Sequence, residues 1–340
     1  MNTIKFGVVG CGHIGKRHAT MVMLNEECEL LALADTSERE SLGLDAFNTP
    51  FYSSIDELLD QHPEIDVVCI CTPNGSHAAL ASTCLDQKKH VVVEKPMGLS
   101  RANCEELIYK ALNVSKQIFC VMQNRYSPPS VWLKELVSSG KLGDIYNVQV
   151  NCYWNRDERY YFKNGQKHPW KGTQDLDGGT LFTQFSHFVD LMYWVFGDIT
   201  NIQGKFNNFS HQHSIDFEDT GLVSFDFVNG GMGCLNYSTA VWDTNLESSI
   251  TVIGDKGTVK VGGQYMNEVD YCHVKDYTFE ELPLSNPAND YGNYKGSANN
   301  HPYVFKNVVD TLKGRKTITT NALEGLKVVD IIERIYACRE

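Results

Sequence analysis

The glycine motif Gly10-x-Gly12-x-x-Gly15 follows an apolar stretch that ends at Val9. It runs into a helical stretch that begins at His13. Glycines at this spacing allow a tight turn and a close approach of the backbone to phosphate, and the N–H groups at the start of the helix attract an anion. The spacing and its context therefore predict a dinucleotide site. Its predicted cofactor-binding residues in this segment are Gly10, Gly12, His13, Ile14 and Gly15.

An aspartate ends the next apolar stretch. Asp35 lies 25 residues after Gly10, near the distance expected for the carboxylate that binds the ribose 2′-hydroxyl of NAD. A carboxylate there would repel the 2′-phosphate of NADP, so NAD is the predicted cofactor and NADP the less favoured one. Aspartate is also a frequent helix N-cap, and Arg39 nearby weakens the preference for NAD, so both interpretations of Asp35 stay open.

Charged residues follow a strand that is apolar enough to be buried on both faces. The run Val91–Val93 is typical of the middle of a parallel sheet, and Glu94 and Lys95 come directly after it. Charges at the carboxyl end of a strand either line the ligand crevice of an open α/β sheet or form a solvated loop. A second strand end has the same two interpretations, as a border of the dinucleotide or as a turn with a helix cap; its residues are Thr72, Pro73, Asn74 and His77.

The elements that must position these residues alternate between strands and helices over the first third of the chain. The predicted strands are Ile4–Val9, Cys28–Ala34, Val67–Cys71, His90–Val93 and Gln117–Val121. The predicted helices are His13–Leu24, Ile55–Leu59, His77–Gln87 and Asn103–Leu112, followed by Ser130–Val137. This alternation predicts an α/β fold with an N-terminal Rossmann-type, doubly wound parallel sheet.

The second part of the chain has a different pattern, in which strands follow strands between glycine-rich turns. Asp144–Trp154 and the segment 200–261 predict a C-terminal α+β domain with a large, mainly antiparallel open sheet. Helices are predicted at Thr180–Phe196, His301–Leu312 and Ala322–Tyr336. We place the NAD-binding domain at residues 1–123 and a substrate-binding and oligomerisation domain at 124–340, with the C-terminal helix free to pack back on the first domain.

The length, net charge and cysteine pattern of the chain limit the classes of protein to which it can belong. A chain of 340 residues is longer than one core usually supports, and its net charge of −12 opposes binding to nucleic acid or to an anionic membrane. No apolar run approaches 18 residues, so we expect a cytoplasmic protein. The eleven cysteines include no C-x-x-C pair, which favours free thiols, and no metal site is predicted.

A polar stripe crosses the apolar helix that follows Gly178 and Gly179. Thr180, Gln184 and His187 recur at spacings of four and three, and Thr183 lies beside them. Such a stripe suits a ligand cleft, and Thr183 and Gln184 are predicted to bind substrate. A single histidine in an apolar helix is, however, more often a core residue than a catalytic one.

A basic and aromatic segment, residues 153–179, indicates the class of ligand. Its cations include Arg156 and Lys171, both predicted to bind substrate, among many tyrosine and tryptophan residues. This mixture in an acidic protein suits an anionic ligand with a base or sugar face. The alternative is a solvated loop whose cations pair with its own acidic residues, which are Asp157, Glu158, Asp175 and Asp177.

The glycine motif, the segment Cys71-Thr72-Pro73-Asn74 and the segment Glu94-Lys95-Pro96 together resemble the glucose-fructose oxidoreductase, inositol dehydrogenase and MocA family, over essentially the whole chain. The resemblance implies that Lys95 projects towards the nicotinamide and the substrate hydroxyl, that a cis bond precedes Pro96, and that Glu94 lies near the cofactor. It also aligns His187 with a helical histidine that handles protons together with the lysine. This chain has Thr183 where inositol dehydrogenases have aspartate, which removes one carboxylate from a proton relay.

Looser similarities lie in the segments QNRYSP (123–128), WKGT (170–173), DGG…Q…H (177–187) and YKGSANNH (294–301). These segments resemble a nucleotide-sugar branch of that family, the dehydrogenases of UDP-N-acetyl-2-amino-2-deoxyglucuronate. They implicate a further substrate-binding set, namely Arg125, Tyr126, Ser297, Asn299 and His301. The implied reaction is hydride transfer from a sugar secondary hydroxyl, at C3 of a UDP-linked sugar or uronate, to nicotinamide C4. The alternatives are a free polyol or monosaccharide dehydrogenase and a non-catalytic NAD-binding regulator. The resemblance and the exposed sheet face expected here favour a homodimer or homotetramer.

Overall fold

The computed structural model describes residues 3–292 and 294–339. Its chain forms two compact units. The first comprises the chain up to Met122 together with His301–Val329, and the second comprises Gln123–Asn300 together with the residues from Asp330 onward. The predicted boundary places residues 301–329 in the second domain, but in the structure they fold with the first unit. The first unit ends at Met122, one residue before the predicted end of the NAD-binding domain at 123.

The first unit is built on a six-stranded parallel sheet in the order β3-β2-β1-β4-β5-β6. Its strands are β1 (Ile4–Val9), β2 (Cys28–Ala34), β3 (Phe51–Tyr52), β4 (Val67–Ile70), β5 (His90–Val93) and β6 (Ile118–Cys120). All four residues of β4 are fully buried, as expected for a β-branched strand covered on both faces. This arrangement confirms the predicted doubly wound sheet and adds the two-residue strand β3, which is too short to show a pattern in the sequence.

Helices connect these strands. They are α1 (His13–Met23), α2 (Ile55–Gln61), α3 (His77–Asp86) and α4 (Arg101–Asn113). Ser54 and Ser100 cap α2 and α4 by accepting main-chain N–H bonds, which satisfies donors that the first helical turn leaves without partners. After the second unit, α9 (His301–Leu312) returns and packs on α1, and α10 (Ala322–Tyr336) follows it.

The second unit is built on a seven-stranded sheet in the order β10-β11-β12-β7-β13-β14-β15. Its strands are β7 (Ile145–Tyr153), β10 (Ile199–Asn207), β11 (Thr220–Phe227), β12 (Met232–Ser238), β13 (Glu247–Gly254), β14 (Gly257–Gly262) and β15 (Glu268–Val274). All neighbours are antiparallel except β12 and β7, which confirms the mainly antiparallel sheet. Two short ribbons accompany it, formed by β8 (Phe162–Lys163) with β9 (Gln166–Lys167) and by β16 (Ala288–Asp290) with β17 (Lys295–Ala298).

One face of this sheet is covered by α5 (Pro128–Ser138) and α8 (Ser186–Phe196), while α6 (Glu158–Tyr161) and α7 (Gln174–Asp177) lie in the connection after β7. Side chains alternate along the strands, as the pleat requires. In β11, Val223, Phe225 and Phe227 are buried, and Leu222, directly before Val223, is 55% exposed. Met232 and Tyr271 are exposed in their strands, so the face away from the helices is open in this chain.

The helix predicted at Thr180–Phe196 is divided. A five-residue π-helical segment, Leu181–Phe185, precedes the α-helix α8. All eleven cysteines are free thiols, as predicted. Across the described part of the chain, each helix is too short or too polar to span a bilayer.

Candidate functional site

The glycine loop of the first unit is shaped by backbone contacts at two of its glycines. Gly10 has a φ of +87°, and a Cβ there would lie 2.6 Å from the main chain of Cys71. A Cβ on Gly15 would lie 1.8 Å from the carbonyl oxygen of Gly10, so neither position accepts a side chain. At Gly12, a Cβ would meet no described heavy atom within 4 Å. The open space of the loop is therefore at Gly12.

Gly12 is also the N-cap of α1 and has no side chain with which to cap it. The first turn, His13–Lys16, contains no carboxylate, and His13 is exposed while Ile14 is half-buried. The N–H groups of this turn and the positive end of the helix dipole thus face the same open space. This geometry fits the pyrophosphate of a dinucleotide.

Asp35 follows β2 and lies against the same loop. Its Oδ2 accepts the main-chain N–H of Cys11 at 2.6 Å, and its Oδ1 accepts that of Ser37 at 2.9 Å. The Arg39 guanidinium is held by other groups, because it donates to the carbonyl oxygens of Thr49, at 2.8 Å, and Phe47. The carboxylate is thus the charged group held beside the glycine loop, which favours a ribose diol over a 2′-phosphate.

The loops after β4 and β5 meet at His77. Its Nε2 lies 2.8 Å from the carbonyl oxygen of Thr72, and its Nδ1 lies 2.7 Å from that of Pro96. The Thr72 and Ser76 hydroxyls share a 2.7 Å hydrogen bond. Asn74 is buried in this turn. The two strand ends predicted to border the cofactor are thus brought together by a buried imidazole.

Lys95 is half-buried in the loop that follows β5, and the Lys95-Pro96 peptide bond is cis, as the resemblance implies. The preceding Glu94 is only 7% exposed and lies against His18 and His301. His301, the first residue of α9, therefore belongs to the first unit, apart from Ser297 and Asn299 of the predicted substrate set. His18 was not singled out from the sequence, where it is one more residue of an amphipathic helix.

In the second unit, the side chains around the π-helical segment form a polar cluster. Gln184 accepts a 2.7 Å bond from Arg156 Nε and donates a 3.0 Å bond to the Tyr160 hydroxyl. Thr180, predicted on the same face, instead donates to the carbonyl oxygen of Glu218. Thr183 is 9% exposed. The wider π turn shifts the helical phase, so the stripe predicted from regular α-helical spacing does not form as a single row.

Arg156 is 2% exposed and surrounded by aromatic rings. Its guanidinium carbon lies 4.7 Å from the ring centre of Trp154, 5.0 Å from that of Tyr294 and 5.4 Å from that of Tyr160. Its remaining N–H groups donate to the carbonyl oxygens of Asn155 and Lys295 and to the Asn245 side chain. A buried cation fixed in this way keeps its charge while it orders the tyrosines around it.

Lys171 lies beside this cluster, with its Nζ 4.0 Å from the ring centre of Tyr160 and 5.5 Å from that of Tyr294. Burial lowers the pKa of Lys171 to about 8, with Asp177 opposing the shift and Arg156 adding to it. Arg159, in contrast, pairs with Asp157 at the surface, as the solvated-loop interpretation expected for this segment. The segment therefore contains both a surface ion pair and a half-buried cation over an aromatic ring.

His187 is buried at the second position of α8, where its Nε2 lies 3.1 Å from the Gln123 side-chain nitrogen. Because the amide nitrogen donates, Nε2 of the neutral ring is the acceptor and the ring proton is on Nδ1. Gln123 was not singled out from the sequence, because 64 residues separate it from its partner.

The other predicted substrate residues of this unit have different surroundings. Arg125 is buried and forms two hydrogen bonds to Asp190, one turn after His187, at 2.8 and 2.5 Å. Tyr126 is half-buried beside it. Ser297 donates to the Asn124 side chain at 2.5 Å, and the Asn299 N–H donates to the Pro287 carbonyl at 3.0 Å. These contacts give Arg125 and Ser297 defined structural partners, whereas their contact with substrate stays a prediction.

Two family models match most of this chain. Residues 4–121 match the model of an oxidoreductase family with an NAD-binding Rossmann fold, and residues 131–260 match the GFO/IDH/MocA C-terminal domain. The myo-inositol 2-dehydrogenase of Thermotoga maritima is 26% identical over 271 residues, which cover 75% of this chain and 74% of that protein.

Solved structures extend the similarity to the full length. The WlbA dehydrogenase of Bordetella pertussis, crystallised with NADH and UDP-GlcNAcA, is 30% identical with a TM-score of 0.85, over 99% of this chain and 96% of that one. The WlbA dehydrogenase of Chromobacterium violaceum, crystallised with the same two ligands, has the same identity and TM-score over 99% and 94% of the chains. With an NAD-binding Rossmann unit and a C-terminal unit that each match their family model, the chain belongs to the Gfo/Idh/MocA family of oxidoreductases.

Proposed function

We propose that this oxidoreductase is an NAD-dependent dehydrogenase that acts on a secondary hydroxyl of a sugar linked to a nucleoside diphosphate, at C3 of a UDP-sugar or UDP-uronate. The observation that carries the proposal is the half-buried Lys171 over the Tyr160 ring, beside the buried cation Arg156. A cation over an aromatic ring offers both a charge for a phosphate or carboxylate and a face for a sugar or base. The two WlbA dehydrogenases, which bind UDP-GlcNAcA, support the same substrate class.

Two residues are proposed to handle the substrate proton. Lys95, half-buried at the end of β5, accepts the proton of the hydroxyl that is oxidised. His187 is proposed to share that proton, and the 3.1 Å contact of its Nε2 with the Gln123 side chain holds the ring in place. NAD, held by the glycine loop, the α1 N-terminus and Asp35, supplies the hydride acceptor. Asp35 and Gly12 fix the cofactor and take no part in the proton transfer.

The substrate class is tested by mixing the purified protein with NAD⁺ and a panel of UDP-sugars, UDP-uronates, free polyols and monosaccharides, and following NADH absorbance. We expect reduction with one or more UDP-linked sugars and none with the free compounds. Reduction by a free polyol alone would contradict the proposal and favour the inositol type, which the similarity to the Thermotoga maritima enzyme supports. Tight NAD binding without turnover on any compound would instead favour a regulatory protein.

Binding of the anionic substrate is expected to weaken as pH rises. The pKa of Lys171 is about 8, so the side chain is cationic below that pH and loses its charge above it. The Kd of the UDP-sugar in wild type should therefore increase between about pH 7.5 and 9.5, because phosphate and carboxylate groups stay ionised throughout that range. Isothermal titration calorimetry across the range measures the effect.

Two variants at position 171 provide the controls for this titration. Lys171→Arg keeps the charge at every pH used, so its Kd should stay flat. Lys171→Met should bind about ten- to a hundred-fold more weakly at pH 7, since a hydrogen bond to a charged group contributes about 1.5–3 kcal/mol. A wild-type pH dependence in Lys171→Met would exclude Lys171 as the group responsible.

Cofactor choice is expected to depend on Asp35. Replacing it with serine removes the charge that repels a 2′-phosphate, so the ratio of kcat/KM for NAD⁺ to that for NADP⁺ should fall by about ten- to a hundred-fold. The exposed carboxylate Glu38, three residues further along, is the matched control, and Glu38→Ser should leave the ratio unchanged. An equal change in both variants would mean that net charge, and not the ribose contact, sets the preference.

A further inference from the structure

We propose that three buried histidines, His18, His77 and His301, are positioning residues for Lys95 and act through the two residues that flank it. The inference rests on the role proposed for Lys95. All three imidazoles are at most 1% exposed, and all belong to the first unit. They come from three helices, α1, α3 and α9, which are far apart in the sequence.

Two of the histidines hold the residue before Lys95. The Glu94 Oε1 accepts a bond from His18 Nε2 at 2.9 Å and lies 3.4 Å from His301 Nε2. The other oxygen, Oε2, accepts the main-chain N–H of Lys95 itself at 3.3 Å. A single carboxylate therefore joins two imidazoles to the peptide group from which Lys95 extends.

This carboxylate stays ionised although it is buried. Burial alone would raise the pKa of Glu94, but hydrogen bonds and charge interactions with His18 and His301 hold the pKa well below its ordinary value. The carboxylate therefore requires an N–H at His18 Nε2, 2.9 Å away, whereas His301 Nε2 lies 3.4 Å from the same oxygen. The rings are packed in turn, since His18 meets Phe305 of α9 edge to face with ring centres 5.0 Å apart.

The third histidine holds the residue after Lys95. His77 lies between the Pro96 carbonyl oxygen, at 2.7 Å, and the Thr72 carbonyl oxygen, at 2.8 Å. Both partners are acceptors, and burial lowers the pKa of His77, so the neutral ring donates its one N–H to one of these carbonyl oxygens while its other nitrogen lies against the second. The main chain is thus fixed on both sides of Lys95, and this decides where the Lys95 side chain begins.

Fixing the main chain on both sides of Lys95 matters for catalysis because it sets the position of the amine. A reacting group must be held close to its productive position, and a displacement of about 1 Å costs about a hundred-fold in rate. Loss of one imidazole donor frees the flanking peptide group without touching the amine or the glycine loop. The expected signature is a lower kcat with unchanged NAD binding.

The test compares paired substitutions at His18. His18→Leu, which removes the donor, is expected to lower kcat about ten- to a hundred-fold while the Kd of NAD⁺ stays within about two-fold. His18→Gln, whose amide nitrogen replaces Nε2, should recover most of the lost rate. His77→Leu and His77→Gln form the pair on the other side of Lys95 and are compared by kcat at saturating NAD⁺, because His77 is also predicted to border the cofactor. The matched control is His90→Leu, at the opposite end of β5, which should keep the wild-type kcat.

A fold defect is separated from a positioning defect by a double variant. His18→Leu alone leaves the Glu94 charge poorly compensated, whereas His18→Leu/Glu94→Gln removes that charge and should unfold near the wild-type temperature. It should nevertheless retain the low kcat, because the link to the Lys95 N–H is weakened. Recovery of the wild-type kcat in this stable variant would overturn the proposal.

Two further outcomes also decide against it. The donor atoms of His18, Glu94 and His301 all lie within 4.8 Å of one another, so a stoichiometric divalent metal in the purified protein, lost in His18→Gln, would make this cluster a metal site instead. Wild-type kcat in both leucine variants, with Lys95→Ala inactive, would refute the positioning role alone. Full activity in Lys95→Ala would instead refute the role of Lys95 on which the inference rests.

Discussion

Replacing Lys95 with alanine is expected to lower kcat by about a hundred- to ten-thousand-fold, the usual contribution of a positioned proton acceptor. NAD binding should change little, because the groups that fit the dinucleotide belong to other elements, namely the Gly12 loop, α1 and Asp35. Steady-state kinetics on the UDP-sugar found in the panel and calorimetric titration with NAD⁺ measure the two quantities separately.

Chemical rescue makes this expectation specific for the amine. A small primary amine added to Lys95→Ala should restore part of the rate, with a dependence on the amine's own pKa. Lys95→Arg, whose side chain does not deprotonate in proteins, should stay inactive. Half or more of the wild-type rate in Lys95→Ala would show that another group accepts the proton. Lys89→Ala, at a half-buried position directly before β5, is the control for loss of a nearby positive charge.

The second large effect concerns stability. Replacing Asp190 with leucine is expected to lower the free energy of unfolding of the second unit by about 3–5 kcal/mol. Asp190 and Arg125 are 0% and 2% exposed and joined by two hydrogen bonds, so loss of the carboxylate leaves a buried guanidinium without its counterion. All five tryptophans, at positions 132, 154, 170, 194 and 242, lie in this unit, so their fluorescence in a urea titration reports its unfolding.

A double variant separates the cost of the isolated charge from the value of the ion pair. Arg125→Leu/Asp190→Leu removes both charges and should be more stable than Asp190→Leu, because a buried pair replaced by apolar side chains of similar volume is often nearly neutral. The surface pair Lys295–Asp290, which lies in the same unit, is the matched control, and Lys295→Leu should change stability by less than about 1 kcal/mol. Equal losses in Asp190→Leu and in the double variant would show that packing, not charge, sets the cost.

Local patterns predicted most of the fold. The central strands β4 and β5 are short apolar runs, and the glycine loop is marked by three residues at fixed spacing, so each is recognisable without its neighbours. The division of the helix at Leu181–Phe185 was not predictable, because Thr180, Gln184 and His187 satisfy ordinary α-helical spacing. Within this segment Gln184 bonds to Arg156 and Tyr160, which are distant in sequence and which no local spacing indicates.

In the candidate site, too, contacts between residues distant in sequence could not be predicted. Lys171 was recognisable because cations and aromatics crowd one short segment, and the structure places it over Tyr160. Arg125 was assigned to substrate by resemblance, but its partner Asp190 is 65 residues away and no spacing indicates the pair. The cluster around Glu94 joins residues from both ends of the chain, so only the folded structure shows that His18 and His301 meet.

The return of residues 301–329 to the first unit affects how the protein is made. During synthesis the parallel sheet is complete once Cys120 has left the ribosome, but the helix that packs on α1 begins only at His301. At about 5–20 residues per second, the intervening segment takes roughly 10–35 seconds to emerge. For that time an apolar face of the newly made NAD-binding unit lacks its native cover, which leaves the nascent chain more open to aggregation than the finished enzyme.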